Sequence, residues 1–261
     1  MNFWANRSVF ITGHTGFKGS WLTMLLSRKK AILSGYSLPN SEQDTLYLKS
    51  GASQFYKNCF QGDIQDIVLL SKAIETAQPS VIFHLAAQPI VSKSIIDPIE
   101  TFKTNIMGTA VLLEVIKQYT KPLLVLIVTS DKVYNAENYI EPFTENSVLG
   151  GNDPYSASKA CVEHLVRAYD ESFFYEGPHK LATARAGNVI GGGDYAQDRL
   201  IPDCLRSIKN KTTLRVRNPG AIRPWQHVLD PLTGYLDLIE FLYNQKKCRS
   251  SSWNLGHQPH K

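Results

Sequence analysis

The stretch Val9-Phe10-Ile11-Thr12-Gly13-His14-Thr15-Gly16-Phe17-Lys18-Gly19 decides how this chain is read. A short apolar run opens it, three glycines follow, and helical periodicity begins near Ser20 with Trp21, Leu22, Leu25 and Leu26. Glycine is needed where a backbone turns tightly with positive φ, and where a Cβ would hold a pyrophosphate away from backbone N–H groups. The helix N-terminus adds its partial positive charge to the same place. Gly13, Thr15, Gly16, Phe17 and Gly19 are therefore expected to cradle a dinucleotide. The G-x-x-G-x-x-G spacing is one residue wider at its first step than G-x-G-x-x-G, and it draws its meaning from the strand before and the helix after.

Working outward, further β-branched or apolar runs recur at Ile32 to Tyr36, Val81 to Ala86, Leu123 to Thr129 and Leu181 to Ala186. Longer stretches separate them, and some repeat the helical pattern, as in Ala110, Leu113, Val115 and Ile116. Buried strands alternating with amphipathic helices predict an α/β fold with a doubly wound parallel sheet over residues 1–187. After Asn188 the texture changes: Gly191-Gly192-Gly193 and then Pro202, Pro219, Pro224 and Pro231 break the chain into shorter pieces. A smaller, loop-rich lobe is expected over residues 188–261, with some of its later segments returning to the sheet. The chain stops at Lys261, just after a strand-like Trp253-Asn254-Leu255, so this lobe reads as shortened at its C-terminal side.

Composition excludes several classes. At 261 residues and 43% hydrophobic content the chain buries a sizeable core, which rules out disorder. Its net charge of +5 is spread over Arg28-Lys29-Lys30, Lys209 to Lys211, Arg215 to Arg217 and Lys246-Lys247, a solvated surface in which one cluster could attract an anionic ligand. No nucleic-acid partner is expected. The four cysteines, Cys59, Cys161, Cys204 and Cys248, lie far apart with no C-x-x-C pair, so no metal site or disulfide framework is expected and a reducing cytoplasm fits. No signal-peptide pattern opens the chain, and no stretch reaches the roughly 18 apolar residues of a membrane helix.

The chemistry is expected at Tyr155 and Lys159, four apart in Asp153-Pro154-Tyr155-Ser156-Ala157-Ser158-Lys159, where a helix starts and both side chains share one face. A phenol with a reference pKa of about 10 is a poor base at neutral pH, and a nearby ammonium favours its phenolate. Tyr243 and Lys247 repeat the spacing without that context and read as a surface coincidence. Upstream, the strand Leu123 to Val128 ends in Thr129-Ser130-Asp131-Lys132, and the carboxyl end of a central strand is where ligands bind in an open α/β sheet. Ser130 can bond a sugar hydroxyl, Asp131 can act as a general acid, and Lys132 can be a base if desolvated. The bland reading of that turn is a capped loop with a solvated Asp-Lys pair. On the cofactor side, Asp63 and Ile64 follow the third strand, where a carboxylate can accept from an adenine amino group. The second strand ends in Gly35-Tyr36-Ser37-Leu38, without the carboxylate or arginine that would distinguish NAD from NADP.

Taken together, Thr12-Gly13 through Gly19, His84-Leu85-Ala86-Ala87, Asn105, Ser130 and Tyr155 to Lys159 resemble the extended short-chain dehydrogenase/reductase family. The resemblance narrows to its CDP-glucose 4,6-dehydratase group at Gly13 to Trp21, Thr129 to Lys132, Ala184 to Asp194 and Ile222 to Val228. It implies a Rossmann-type fold, NAD held through the cycle, CDP-D-glucose as substrate and CDP-4-dehydro-6-deoxy-D-glucose as product, on the way to dideoxy sugars of lipopolysaccharide O-antigen. It also implies Leu85, Ala86, Ala87 and Asn105 on the cofactor side, with Lys159 on the nicotinamide ribose. Gln88, Asn188, Arg199, Leu200 and Arg223 fall on the substrate side, Arg223 gripping a diphosphate. Many related dehydratases carry Asp-Glu where this chain has Asp131-Lys132, which leaves the base at sugar C5 open. Pairing into a homodimer or higher oligomer is implied through helices spanning 99–119 and 155–175. Two rivals stand beside this reading: another nucleotide-sugar enzyme such as a 4-epimerase, and a cofactor-binding protein without catalysis.

Overall fold

The computed structural model describes residues 2–39, 45–136, 142–245 and 250–256; Lys246, Lys247 and Cys248 lie outside them. The glycine stretch joins β1 (Ser8–Thr12) to α1 (Phe17–Arg28). Alternation continues through β2 (Ile32–Ser37), α2 (Leu46–Lys49), β3 (Tyr56–Gln61), α3 (Ile67–Ala77) and β4 (Val81–His84). Short helices α4 (Val91–Ile96) and α5 (Pro98–Phe102) lead through a wide turn at Lys103–Met107 into α6 (Gly108–Gln118) and β5 (Leu124–Val128). Then come α7 (Pro154–Tyr169), β6 (Lys180–Ala186), β7 (Val189–Ile190), α8 (Leu200–Asn210), β8 (Gln226–His227), α9 (Leu229–Asn244) and β9 (Ser251–Leu255).

The seven-stranded sheet runs β3-β2-β1-β4-β5-β6-β9, and every pairing in it is parallel. Because side chains alternate across a strand, Val9, Ile11 and Leu126 point to one core while Phe10, Val125 and Ile127 point to the other. The first core is closed by Leu22 and Leu26 of α1 and by Leu232, Tyr235, Leu236 and Ile239 of α9; the second by Ile74 of α3, Leu112 and Ile116 of α6 and Val162 and Val166 of α7. A sheet covered on both faces needs strands that are apolar throughout, and β5 is buried at every position.

The strand order reverses between β1 and β4, which opens a crevice at the carboxyl ends of these strands. Beyond β6, the two-stranded β7–β8 ribbon, α8 and their loops stand over that crevice. The later segments do return to the sheet: β9 pairs with β6, and α9 packs into the first core. Among the described residues, no helix is long and apolar enough to cross a membrane, and no cluster could hold a metal ion.

Candidate active site

The crevice is a cavity of about 1100 Å³. Its floor is built first by the glycine turn. Gly13 has φ +71, and a Cβ there would come 2.7 Å from the backbone nitrogen of Ala86, so β1 and β4 can end this close only through glycine. A Cβ at Gly19 would meet His14 Cα at 2.7 Å, so α1 starts hard against the turn. Gly16 differs: it is exposed, and a Cβ there would meet only the Gly13 oxygen at 3.3 Å, so packing does not demand glycine. Its bare backbone keeps open the space where α1 begins without a side-chain cap, a place suited to a pyrophosphate. Thr12 ties the turn to β4: its hydroxyl bonds His84 Nδ1 at 2.7 Å and accepts from the Ala86 N–H at 3.2 Å.

Gly13, Thr15, Gly16, Phe17, Gly19, Asp63, Ile64, Leu85, Ala86 and Ala87 all line the cavity. Tyr36 donates to the Asp63 backbone oxygen at 2.8 Å while Asp63 Oδ1 accepts from the Gln65 N–H at 2.9 Å, so Asp63 closes a turn as well as lining the cavity. Asn105 and Gln88 are buried beside this wall: the Gln88 N–H donates to Asn105 Oδ1 at 2.8 Å, and Asn105 Nδ2 donates to the Gln88 oxygen and to Ser158 Oγ. They brace the β4 turn against α7.

The second wall comes from β5 and α7. Asp153 caps α7, its carboxylate accepting from the Ser156 N–H at 3.0 Å and the Ser156 hydroxyl at 2.6 Å, and Pro154 occupies the first helical position. Tyr155 and Lys159 then face the cavity from one side of the helix, and Ser130, Asp131 and Lys132 line it beside them. Lys159 Nζ donates to the Val128 oxygen at 3.0 Å, and burial pulls its ammonium down to about 8, assisted by the charge of Lys18 and opposed by Glu163. Burial raises the Tyr155 phenol and the Asp131 charge raises it further, while the Ser130 hydroxyl and Arg199 draw it down.

Burial also holds the Asp131 carboxyl above its ordinary value, against the pull of the Ser130 hydroxyl, Lys132, Arg223 and Lys18. A carboxyl in that state can carry a proton to a leaving group. The Lys132 ammonium lies 5.9 Å from the centroid of the Tyr155 ring.

The third wall is the smaller lobe. Asn188, Arg199, Leu200 and Arg223 all line the cavity. Arg199 is held by Asp194 at 2.9 Å, whereas the exposed Arg223 makes one hydrogen bond, to the Ile222 oxygen at 3.2 Å. Ile222 beside it projects into solvent. Asp198, expected with Arg199 and Leu200 on the nucleotide side, lines the cavity, sits at φ +63 and bridges Ser92 Oγ at 2.6 Å and Arg217 Nη1 at 3.0 Å, joining α4 to the lobe across the cavity rim. Sequence reasoning missed Lys18, whose side chain reaches the cavity from the first turn of α1. The signal was present, since a lysine in the first turn of a helix opposes the macrodipole.

A doubly wound parallel sheet, a glycine turn at its switch point and a Tyr155/Lys159 pair beside Ser130 define an extended short-chain dehydrogenase/reductase. The model of the GDP-mannose 4,6 dehydratase family matches residues 10–250, and the chain belongs to that family. It is 45% identical over 98% of its length to a CDP-glucose 4,6-dehydratase of Salmonella typhimurium, of which it spans 72%. It is 30% identical over 84% of its length to a dTDP-glucose 4,6-dehydratase of Xanthomonas campestris, spanning 64% of that protein. Among solved structures, a dTDP-glucose 4,6-dehydratase of Bacillus anthracis in complex with NAD superposes with a TM-score of 0.78 at 27% identity, covering 96% of this chain and 75% of the other.

Proposed function

We propose that the protein removes water from CDP-D-glucose, with NAD as its cofactor, to give CDP-4-dehydro-6-deoxy-D-glucose. The observation that carries this reading is that Tyr155 and Asp131, a carboxyl that burial keeps easy to protonate, line one cavity and act on each other's charge. A 4-epimerase needs the phenol but no acid to expel a 6-hydroxyl. The 45% identity to a relative named for this reaction supports the choice of the cytidine nucleotide.

The open backbone at Gly16 and the uncapped start of α1 fit the pyrophosphate of NAD, and Lys159 fits its nicotinamide ribose. When bound, NAD supplies a hydride acceptor for sugar C4 and returns the hydride to C6. Tyr155, as phenolate, takes the proton of the 4-hydroxyl, and Ser130 orients that hydroxyl from beside the phenol. Asp131 delivers a proton to the departing 6-hydroxyl. The C5 proton passes either to Lys132 as a neutral amine or to a water molecule, with Lys132 as an ammonium stabilising the enolate in the second case. Asn188 and Arg223 take the diphosphate, where a planar guanidinium can pair two oxygens at once. Arg199 and Leu200 border the nucleotide. Work in the cytoplasm and a homo-oligomeric assembly belong to this proposal.

Incubating purified protein with CDP-D-glucose and NAD tests it. A 4-keto-6-deoxy product seen by NMR supports dehydration, CDP-galactose would show an epimerase, and NAD binding without turnover of any nucleoside diphosphate sugar would favour a cofactor-binding protein without catalysis.

A further inference from the structure

Tyr155 is the second residue of α7, so its backbone N–H has no acceptor within the helix. Asp153 serves the next N–H, that of Ser156. The acceptor for Tyr155 comes from α4: Ser94 Oγ takes the Tyr155 N–H at 3.2 Å and donates its own hydrogen to the Val91 oxygen at 2.7 Å. Ser94 is fully buried, and α4 packs against α7. Two residues earlier, Ser92 Oγ donates to Asp198 Oδ2 at 2.6 Å. Arg217 grips Asp198 from the side of the smaller lobe, Nη1 on Oδ1 at 3.0 Å and Nη2 on the backbone oxygen at 2.6 Å. One short helix thus carries a bond to the lobe and a bond to the residue that bears the phenol.

We propose that α4 is a mechanical link, through which Asp198 of the smaller lobe sets the position of Tyr155. Asp198 holds α4 at Ser92, and α4 holds the start of α7 at Ser94. The six residues of α4 make less than two turns, about 9 Å, so a pull on Ser92 moves Ser94 with it. The two ends differ in strength. The Arg217–Asp198 pair is about half exposed and weakly held, so it can open and reclose as substrate passes the rim, whereas the Ser94 bond is buried and persists. Asp198 and Ser94 are then positioning residues, acting on the phenol through α4 rather than on the sugar. The kinetic part of this inference rests on the activity proposed above.

Two measurements on the full chain test it, hydrogen–deuterium exchange resolved to single amides and turnover of CDP-D-glucose with NAD. Asp198→Ala should speed exchange of the Tyr155 amide by about fivefold, the equivalent of one weakened hydrogen bond. Asp198→Asn still accepts from Ser92 and tolerates the positive φ, so it should leave that exchange unchanged. In turnover, Asp198→Ala should lower kcat by about tenfold with little change in KM, since a misplacement of about 1 Å can cost 10²-fold. Adding Asp198→Ala to Ser94→Ala should cost little more, because the link is already cut. If Ser94→Ala does not fold, Ser92→Ala at the rim takes its place. A raised KM at unchanged kcat would make Asp198 a ligand contact and overturn the proposal, as would additive losses or a Tyr155 amide indifferent to Asp198→Ala. The expected exchange in a protein without turnover would uphold the link and refute the proposed activity instead.

Discussion

The carboxylate of Glu163, one turn beyond Lys159 on α7, meets the guanidinium of Arg185 on β6 at 2.8 Å, with both side chains almost wholly excluded from solvent. The same carboxylate accepts from Thr129, Thr183 and Ser252. It thereby pins the helix that carries Tyr155 to the end of the strand that presents Ser130 and Asp131. Burial alone would raise Glu163, but Arg185 and the threonines hold it below the ordinary carboxylate range.

Breaking this pair leaves a buried charge unmatched. Glu163→Gln should lower unfolding stability by about 3 to 5 kcal/mol in urea titrations, and a variant as stable as the wild type would contradict the pinning role.

Gly13→Ala places a Cβ 2.7 Å from the Ala86 nitrogen on a residue whose φ is +71. The strain should cost about 1 to 3 kcal/mol of stability, and NAD binding by calorimetry should weaken at least tenfold. Unchanged NAD affinity would show that the turn does not form the cofactor floor.

Asp131→Asn keeps the shape of the site and removes its transferable proton. Product formation should fall by about 10²-fold or more. In the wild type, Asp131 is raised by burial first, so it holds its proton to higher pH than an ordinary carboxyl and the dehydration rate should fall as pH rises through that elevated value. Full turnover in Asp131→Asn would remove the acid from the mechanism.

His14 is buried between Tyr47 and Tyr56, and burial lowers it to about 4 from 6.5 despite a bond to the Tyr36 backbone. The native state therefore keeps it neutral while the unfolded chain binds a proton below its own value. Its contribution to stability is complete above pH 6.5 and is lost as pH falls toward 4. Linkage gives a loss of about 2 kcal/mol between pH 7 and pH 5. Urea titrations of the wild type and His14→Phe should show the slope flatten in the variant, and equal slopes would contradict this.

How much was legible follows from the same residues. β5 is apolar along its whole length, and β1 and β4 carry apolar runs at Val9–Ile11 and Val81–Phe83, because both faces are covered; the glycine turn was readable because strand and helix flank it. The bounds of β3 were not, since Tyr56–Gln61 forms the sheet edge and alternates half-buried with exposed, a pattern shared by many loops. The bonds that join Gln88 and Asn105 to each other and to Ser158 were not legible, because they link residues far apart along the chain. The Glu163–Arg185 pair and the Asp198 bridge join separate elements, and spacing along a chain carries no trace of such meetings.

The central claim, that Tyr155 and Asp131 work on opposite ends of one sugar beside a nicotinamide, has a direct isotopic test. CDP-D-glucose carrying deuterium at C4, converted with NAD, should give a product with that deuterium in the C6 methyl group by NMR. Deuterium that stayed on C4, or left for solvent, would contradict the account.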